Sequence, residues 1–288
     1  PEDRGVVDAI ATTFIAGYNE TLPQRDTTAA TQHVQSESEE FLKPFYVEGA
    51  AMALAAANAV PGIKAKASLE DLLGALPAHK HVIYAGWGWW PALDPRRTRA
   101  ARRAIDTTGL FSAITLDGMA FARAFLLSAP PHFDIAVPAL SEAQKRVWVQ
   151  GYGRALWFLC GADESVIARQ QARVGEGLAA ELDAGMGLAA GFAGIATDRP
   201  WRSIPSLAHR PAYLQGLAFG LTARASSTPE VFAEWLARLP PGESNHVEQL
   251  VARCHLEPSA IDAQPAVTYT HWQQTLRTEF AQTWTAAA

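Results

Sequence analysis

Glu48, Asp117, Gln150, Arg154 and Gln215 are polar residues inside otherwise small or apolar segments: VEGAAMALA (47–55), LDGMAFA (116–122), VQGYGRALWF (149–158) and LQGLAFGL (214–221). Desolvation raises the pKa of a carboxyl group taken out of water. A carboxylic acid kept neutral in this way can start or relay a proton transfer. Aromatic faces stabilise positive charge, and Trp89, Phe121 and Phe219 sit in equivalent segments. Glu48, Asp117 and Arg154 are therefore the candidate catalytic residues. Gln150, Gln215, Trp89, Phe121, Met52, Phe219, Trp87 and Tyr152 are the candidate substrate-binding residues. The chemistry these types suit is the cyclisation or isomerisation of a hydrophobic polyene or isoprenoid-type intermediate by acid and base groups. The same residues also suit a structural role, since a buried pair of Arg154 with Glu48 or Asp117 fixes helix packing without any reaction.

The segments belong to a longer series. IAGYN, VEGAA, YAGWG, LDGMA, VQGYG, DAGMG and LQGLA place central glycines at Gly17, Gly49, Gly86, Gly118, Gly151, Gly185 and Gly216, separated by 32, 37, 32, 33, 34 and 31 residues. Spacing in the low thirties is that of one helix–turn–helix unit. Counted from each central glycine, positions −1 and +3 share one helical face. That face reads Ala16/Glu20, Glu48/Met52, Ala85/Trp89, Asp117/Phe121, Gln150/Arg154, Ala184/Leu188 and Gln215/Phe219. If one helix of each unit lines an inner surface, these residues converge there. The glycines themselves read as packing devices. A nucleotide-binding Gly-x-Gly would follow a strand and open a helix, whereas GYGRALWF lies within one.

Helix starts and stops support the same reading. Ser141 is a candidate N-cap for a helix that runs through Trp157 and stops at Gly161, and Asp163 caps the next one. Asp94-Pro95 and Thr228-Pro229 put a capping residue before a first-turn proline. Pro240-Pro241-Gly242 ends the helix that holds Phe232, Trp235 and Leu236. Strand signals are weak throughout and no linker divides the chain. The expectation is one all-α domain over 1–288, with about seven helical hairpins of ~33 residues forming an α/α solenoid or a closed α/α toroid.

FYVEGAAMALA (45–55), GYGRALWFLCGAD (151–163), AGMGLAAGFAG (184–194) and YLQGLAFGLTARA (213–225) resemble a bacterial family catalogued as domain of unknown function 1702. TTFIAGYNETL (12–22) and YTHWQQTLRTEF (269–280) are similar to its two ends, so the resemblance spans nearly the whole chain. Members are often encoded beside genes for enediyne and other polyketide biosynthesis, which implies a role in specialised metabolism. The resemblance carries over no catalytic residue. GWGWW (86–90) departs from the family pattern, where one tryptophan is usual, and marks Trp87 and Trp90 as features of a pocket particular to this chain.

The remaining charges say less. Arg96, Arg97, Arg99, Arg102 and Arg103 form the one strong charge run, with Arg96, Arg99 and Arg103 on one stripe. Such a run is ordinarily a solvated face. It also fits docking of an acidic carrier protein or synthase, the alternative in which the chain is a non-catalytic scaffold that shields a reactive intermediate. Asp183 falls at −2 and faces elsewhere, and its neighbour Glu181 reads as a solvated residue. The eight histidines show no zinc spacing. No dinucleotide fingerprint or nucleophile elbow is present, so cofactor-independent, redox-neutral chemistry is expected. A net charge of −5 speaks against general nucleic-acid binding. Two cysteines, no apolar run of membrane-spanning length and no basic-then-apolar leader in PEDRGVVDAI lead to the expectation of a cytoplasmic protein.

Overall fold

A computed structural model of the chain describes residues 2–36, 39–60, 62, 64–93, 109–127, 139–160, 176–197, 209–255 and 264–284. They form twelve α-helices and no strand. In chain order these are α1 (Glu2–Gln24), α2 (Thr28–Ser36), α3 (Lys43–Ala59), α4 (Leu69–Ala75), α5 (Lys80–Leu93) and α6 (Ala113–Leu127). There follow α7 (Glu142–Leu159), α8 (Glu176–Phe192), α9 (Arg210–Ser227), α10 (Pro229–Arg238), α11 (Pro241–Cys254) and α12 (Pro265–Trp284). None of them is long and apolar enough to cross a membrane.

Local chemistry sets several boundaries. Ser141 caps α7 in a reciprocal box: its hydroxyl accepts from the Gln144 N–H at 3.3 Å, and the Gln144 side chain accepts from the Ser141 N–H at 3.2 Å. Ser68 and Asp71 do the same for α4. Pro241 opens α11 just after α10 ends, so the proline cluster separates two helices as expected. Thr228 takes the expected N-cap place before Pro229, but its side chain makes no capping bond. Its hydroxyl donates back to the Arg224 carbonyl at 3.4 Å and accepts from Arg224 Nη1 at 3.3 Å. Asp94-Pro95, Gly161, Asp163 and the whole arginine run from Arg96 to Arg103 lie outside the described residues.

The seven helices that carry the glycine series, α1, α3, α5, α6, α7, α8 and α9, pack against one another in chain order. The glycines make this possible. A Cβ placed on Gly86 would stand 2.1 Å from the carbonyl oxygen of Glu48. On Gly118 it would meet that of Ala85 at 2.0 Å, on Gly151 that of Asp117 at 2.2 Å, on Gly185 that of Gln150 at 1.9 Å and on Gly216 that of Ala184 at 1.8 Å. Each central glycine thus docks on the backbone of the −1 residue in the preceding helix. Glycines at +2 look the other way: Gly88, Gly153 and Gly187 dock on the −3 carbonyls of Thr115, Leu182 and Tyr213 in the following helix. Backbone-to-backbone contact of this kind leaves no room for any side chain.

The first copy corrects the sequence register. Gly17 docks forward on Tyr46, three before Gly49, and Gly49 docks back on Phe14. Gly17 therefore occupies the +2 place and Ile15 the central one. The inner −1 position of α1 is Phe14, not Ala16, and Glu20 is exposed, accepting from the Tyr46 hydroxyl at 2.6 Å.

Candidate functional site

A cavity of about 200 Å³ opens among these helices. Its wall follows one stripe of the glycine-centred count. Position −4 contributes Phe45, Val82 and Ile114, and −1 contributes Glu48, Ala85 and Asp117. Position +3 contributes Trp89, Phe121, Arg154, Leu188 and Phe219, and +7 contributes Phe125, Phe158, Phe192 and Ala223. The stripe slides as the chain proceeds: α3 uses −4 and −1, α6 uses all four positions, and α7, α8 and α9 use +3 and beyond. Phe14 of α1, Phe111, Cys254 of α11, and Tyr269 and Trp272 of α12 complete the wall. Ile15 and Leu126 both line the cavity and are exposed, at 56% and 49%, so its mouth lies between α1 and the end of α6.

Two carboxyl groups and one guanidinium interrupt the apolar lining. Arg154 Nε stands 2.8 Å from Asp117 Oδ1, and Arg154 Nη1 donates to Glu48 Oε1 at 3.4 Å. The Trp89 indole N–H also donates to Glu48 Oε1, at 3.2 Å, and Gln150 Nε2 donates to Asp117 Oδ2 at 2.9 Å. Gln273 of α12 donates to Gln150 Oε1, which fixes the direction of that amide. The Arg154 guanidinium lies 4.3 Å above the Phe121 ring. Glu48, Asp117 and Arg154 are all buried.

Burial dominates the electrostatics. Desolvation lifts both carboxyl groups above their ordinary values, and Arg154 offsets it only in part. The Asp117 charge pushes Glu48 up further. Burial pulls Arg154 the other way from its two carboxylates, and the carboxylates prevail, so it stays a cation. His81, on the wall against the Phe111 edge, is pulled down by desolvation to about 3 and is neutral. The wall therefore holds two acids against one fixed cation. Asp117 has the closer guanidinium contact and the amide donor, so it is the better-satisfied anion, and Glu48 is the carboxyl that takes up a proton more readily.

Two chains of aromatic contacts run beside this group. Phe14 and Trp89 have ring centroids 4.4 Å apart, Trp89 and Phe121 5.1 Å, and Phe121 and Phe158 5.7 Å. Elsewhere on the wall Phe219 and Trp272 stand 4.6 Å apart, with Tyr269 5.7 Å from Phe219.

Of the residues singled out from the sequence, Glu48, Asp117, Arg154, Trp89, Phe121 and Phe219 line the cavity. Gln150 stands one layer behind, on Asp117. Gln215 lies in a separate polar cluster, accepting from Arg277 Nε at 3.1 Å and Nη2 at 3.0 Å. Arg277 also bonds Glu181, which Arg146 approaches to 3.6 Å; Glu181 is thus a buried ion-pair partner between α8 and α12 and not a solvated residue. Asp183 pairs with His209 Nδ1 at 3.0 Å, away from the cavity wall. Met52 is packed in the core, Tyr152 is buried beside Trp148, and Trp87 and Trp90 are half-buried against the core. The wall residues that the −1/+3 count missed, Phe45, Phe125, Phe158 and Phe192, lie one turn beyond it on the same stripe. Tyr269 and Trp272 belong to a helix outside the glycine series and carry no such signal.

No curated protein and no solved structure matches the chain. A family model described as protein of unknown function (DUF1702) matches residues 1–280, nearly all of the chain. This chain belongs to the DUF1702 family.

Proposed function

We propose that the chain is a cofactor-independent cyclase or isomerase that moves a proton on a hydrophobic polyene or isoprenoid-type intermediate of bacterial specialised metabolism. The observation that carries this is the Glu48–Arg154–Asp117 group on the wall of an otherwise apolar, aromatic cavity. The neutral Glu48 carboxyl gives its proton to a substrate double bond. Glu48 becomes a carboxylate and the substrate takes up the positive charge. Ring closure or a hydrogen shift moves that charge past the faces of Trp89, Phe121 and Phe14. The Glu48 carboxylate then removes a proton from a neighbouring carbon, which restores the starting charge with no net oxidation. Asp117 stays ionised on Arg154 and Gln150 throughout, so the anionic site is organised before the cation forms. In this reading the glycine-linked helices are the inner row of about seven hairpins of ~33 residues in an α/α toroid or solenoid.

The scaffold reading, with a carrier protein or synthase docked through Arg96, Arg99 and Arg103, rests on the sequence pattern alone. The enzyme is favoured because Glu48, Asp117 and Arg154 line the cavity itself and are not confined to the packing between helices.

A strain that carries the gene and a deletion of it, complemented with wild type, Glu48→Gln, Asp117→Asn or Arg154→Ala, tests the proposal through metabolite profiling. Glu48→Gln should lower product formation by roughly 10²–10⁴-fold, the usual contribution of a positioned proton donor, and the substrate should accumulate as in the deletion. Full product from all three variants, each folded, would sink it.

A further inference from the structure

The described wall residues include two carboxyl groups and one guanidinium, and no second cation balances the pair. We infer that this cavity is a receptor for one hydrophobic monocation of the alkylammonium type, held between Glu48 and the aromatic wall that Trp89 and Phe14 form. The inference uses the cavity assigned above and not the reaction proposed for it.

The geometry makes Glu48 the acceptor of the new charge. From α6, Asp117 holds Arg154 at 2.8 Å, while from α7 the same guanidinium reaches Glu48 at only 3.4 Å. From α5 the one polar group on Glu48 is the Trp89 N–H, a neutral donor. Tyr269 of α12 lies on the Asp117 and Gln150 side, and neutral His81 brings no charge. Without a second cation beside it, an ionised Glu48 is a buried charge offset only by its 3.4 Å share of Arg154, which favours the protonated form. A quaternary ammonium supplies that cation. It binds as Glu48 releases one proton, and the group changes from a neutral acid beside the Asp117–Arg154 pair to two ion pairs, Glu48 with the ammonium and Asp117 with Arg154.

Trp89 packs on Phe14 at 4.4 Å and on Phe121 at 5.1 Å, so an ammonium beside Glu48 meets a continuous aromatic wall. An octanoate-type anion would instead meet two acids across an occupied guanidinium. The volume sets the size. An apolar cavity of roughly 150 Å³ accepts benzene, so about 200 Å³ takes about eight non-hydrogen atoms, and the open mouth beside Ile15 and Leu126 admits the end of a chain of about ten.

Hexyltrimethylammonium, nonan-2-one and octanoate share that size and differ in charge. Titration calorimetry of the full chain at neutral pH, in two buffers of different ionisation enthalpy, gives affinity and the number of protons exchanged. The ammonium should bind at least tenfold more tightly than the ketone, octanoate more weakly than either, and ammonium binding should release about one proton. In Glu48→Gln the release should vanish and the ammonium affinity should fall tenfold or more, with the ketone unchanged. Should Glu48→Gln not fold, the ranking and the proton count of the wild type still decide. Equal affinity for ketone and ammonium, tighter binding of octanoate, or ammonium binding without proton release overturns the inference. Unaltered metabolites in the complementation experiment, with this ranking intact, would remove the reaction and leave the receptor.

Discussion

Gly151→Ala should destabilise the protein by about 3 kcal/mol or more, and Gly185→Ala by a similar amount, whereas Gly74→Ala should stabilise it by about 0.5–1 kcal/mol. All three put one methyl group into a helix, so intrinsic propensity favours each change equally. The surroundings separate them. The new Cβ on Gly151 would stand 2.2 Å from the Asp117 carbonyl oxygen, and on Gly185 1.9 Å from that of Gln150 and 2.7 Å from the Arg154 nitrogen. These are backbone atoms inside hydrogen-bonded helices and cannot rotate aside as a side chain would. Relief requires the helices to part by about 1 Å, which forfeits dispersion along the whole contact. Gly74 has nothing within 4 Å of its would-be Cβ. Urea unfolding midpoints at constant m-value measure the difference. If Gly151→Ala were as stable as Gly74→Ala, the close helix contacts would be wrong. The same substitution should also disturb the cavity, since Gly151 docks on the residue that holds Arg154.

That docking explains why so much of the site is legible in the sequence. A glycine that seats on the −1 carbonyl of its neighbour fixes the neighbour's rotation about its own axis, so counting from the glycine predicts which side chains face inward. Glu48, Asp117, Trp89, Phe121, Arg154 and Phe219 follow from that count. Trp87 and Tyr152 do not, because +1 lies about 200° round the helix from both −1 and +3. Met52 and Gln215 fail for another reason: they are on the right face but at the wrong height. The wall slides along successive helices, so α3 presents only its earlier turns and α9 only its later ones. Sequence periodicity specifies rotation about each helix and says nothing of such axial offset. The register of α1 shows the limit of the count itself, since Gly17 matches the series in spacing but makes the +2 contact. Glu181 illustrates a separate gap. Its partners Arg146 and Arg277 come from α7 and from a helix outside the series, and only the tertiary structure brings them together.

Arg154→Met should cost about 3–5 kcal/mol near neutral pH, and the loss should shrink as the solution is made acidic. Removing the guanidinium leaves Glu48 and Asp117 buried side by side with only an indole and an amide as donors. Both carboxyl groups already sit above their ordinary values of 4.5 and 3.8 through desolvation, and without Arg154 they rise further. A carboxyl whose folded pKa is raised contributes its full stability below the unfolded value, where both states hold the proton. That contribution is lost as pH climbs through the folded value, because the unfolded chain releases the proton first. The window therefore opens at about pH 4–4.5 and extends upward. The histidines act in the opposite sense: burial pulls His79 down to about 4 and His81 to about 3, so their contribution fades as pH falls below 6.5. Both variant and wild type carry them, and they cancel in the difference between the two curves. Unfolding in urea from pH 4.5 to 8 should show the gap between wild type and Arg154→Met widening steadily with pH. Adding Glu48→Gln and Asp117→Asn to Arg154→Met should recover most of the loss, since a neutral trio has no charge to strand; a gap that is independent of pH, or a triple variant no better than Arg154→Met alone, would mean that Arg154 acts through packing and that the two acids are not held by its charge.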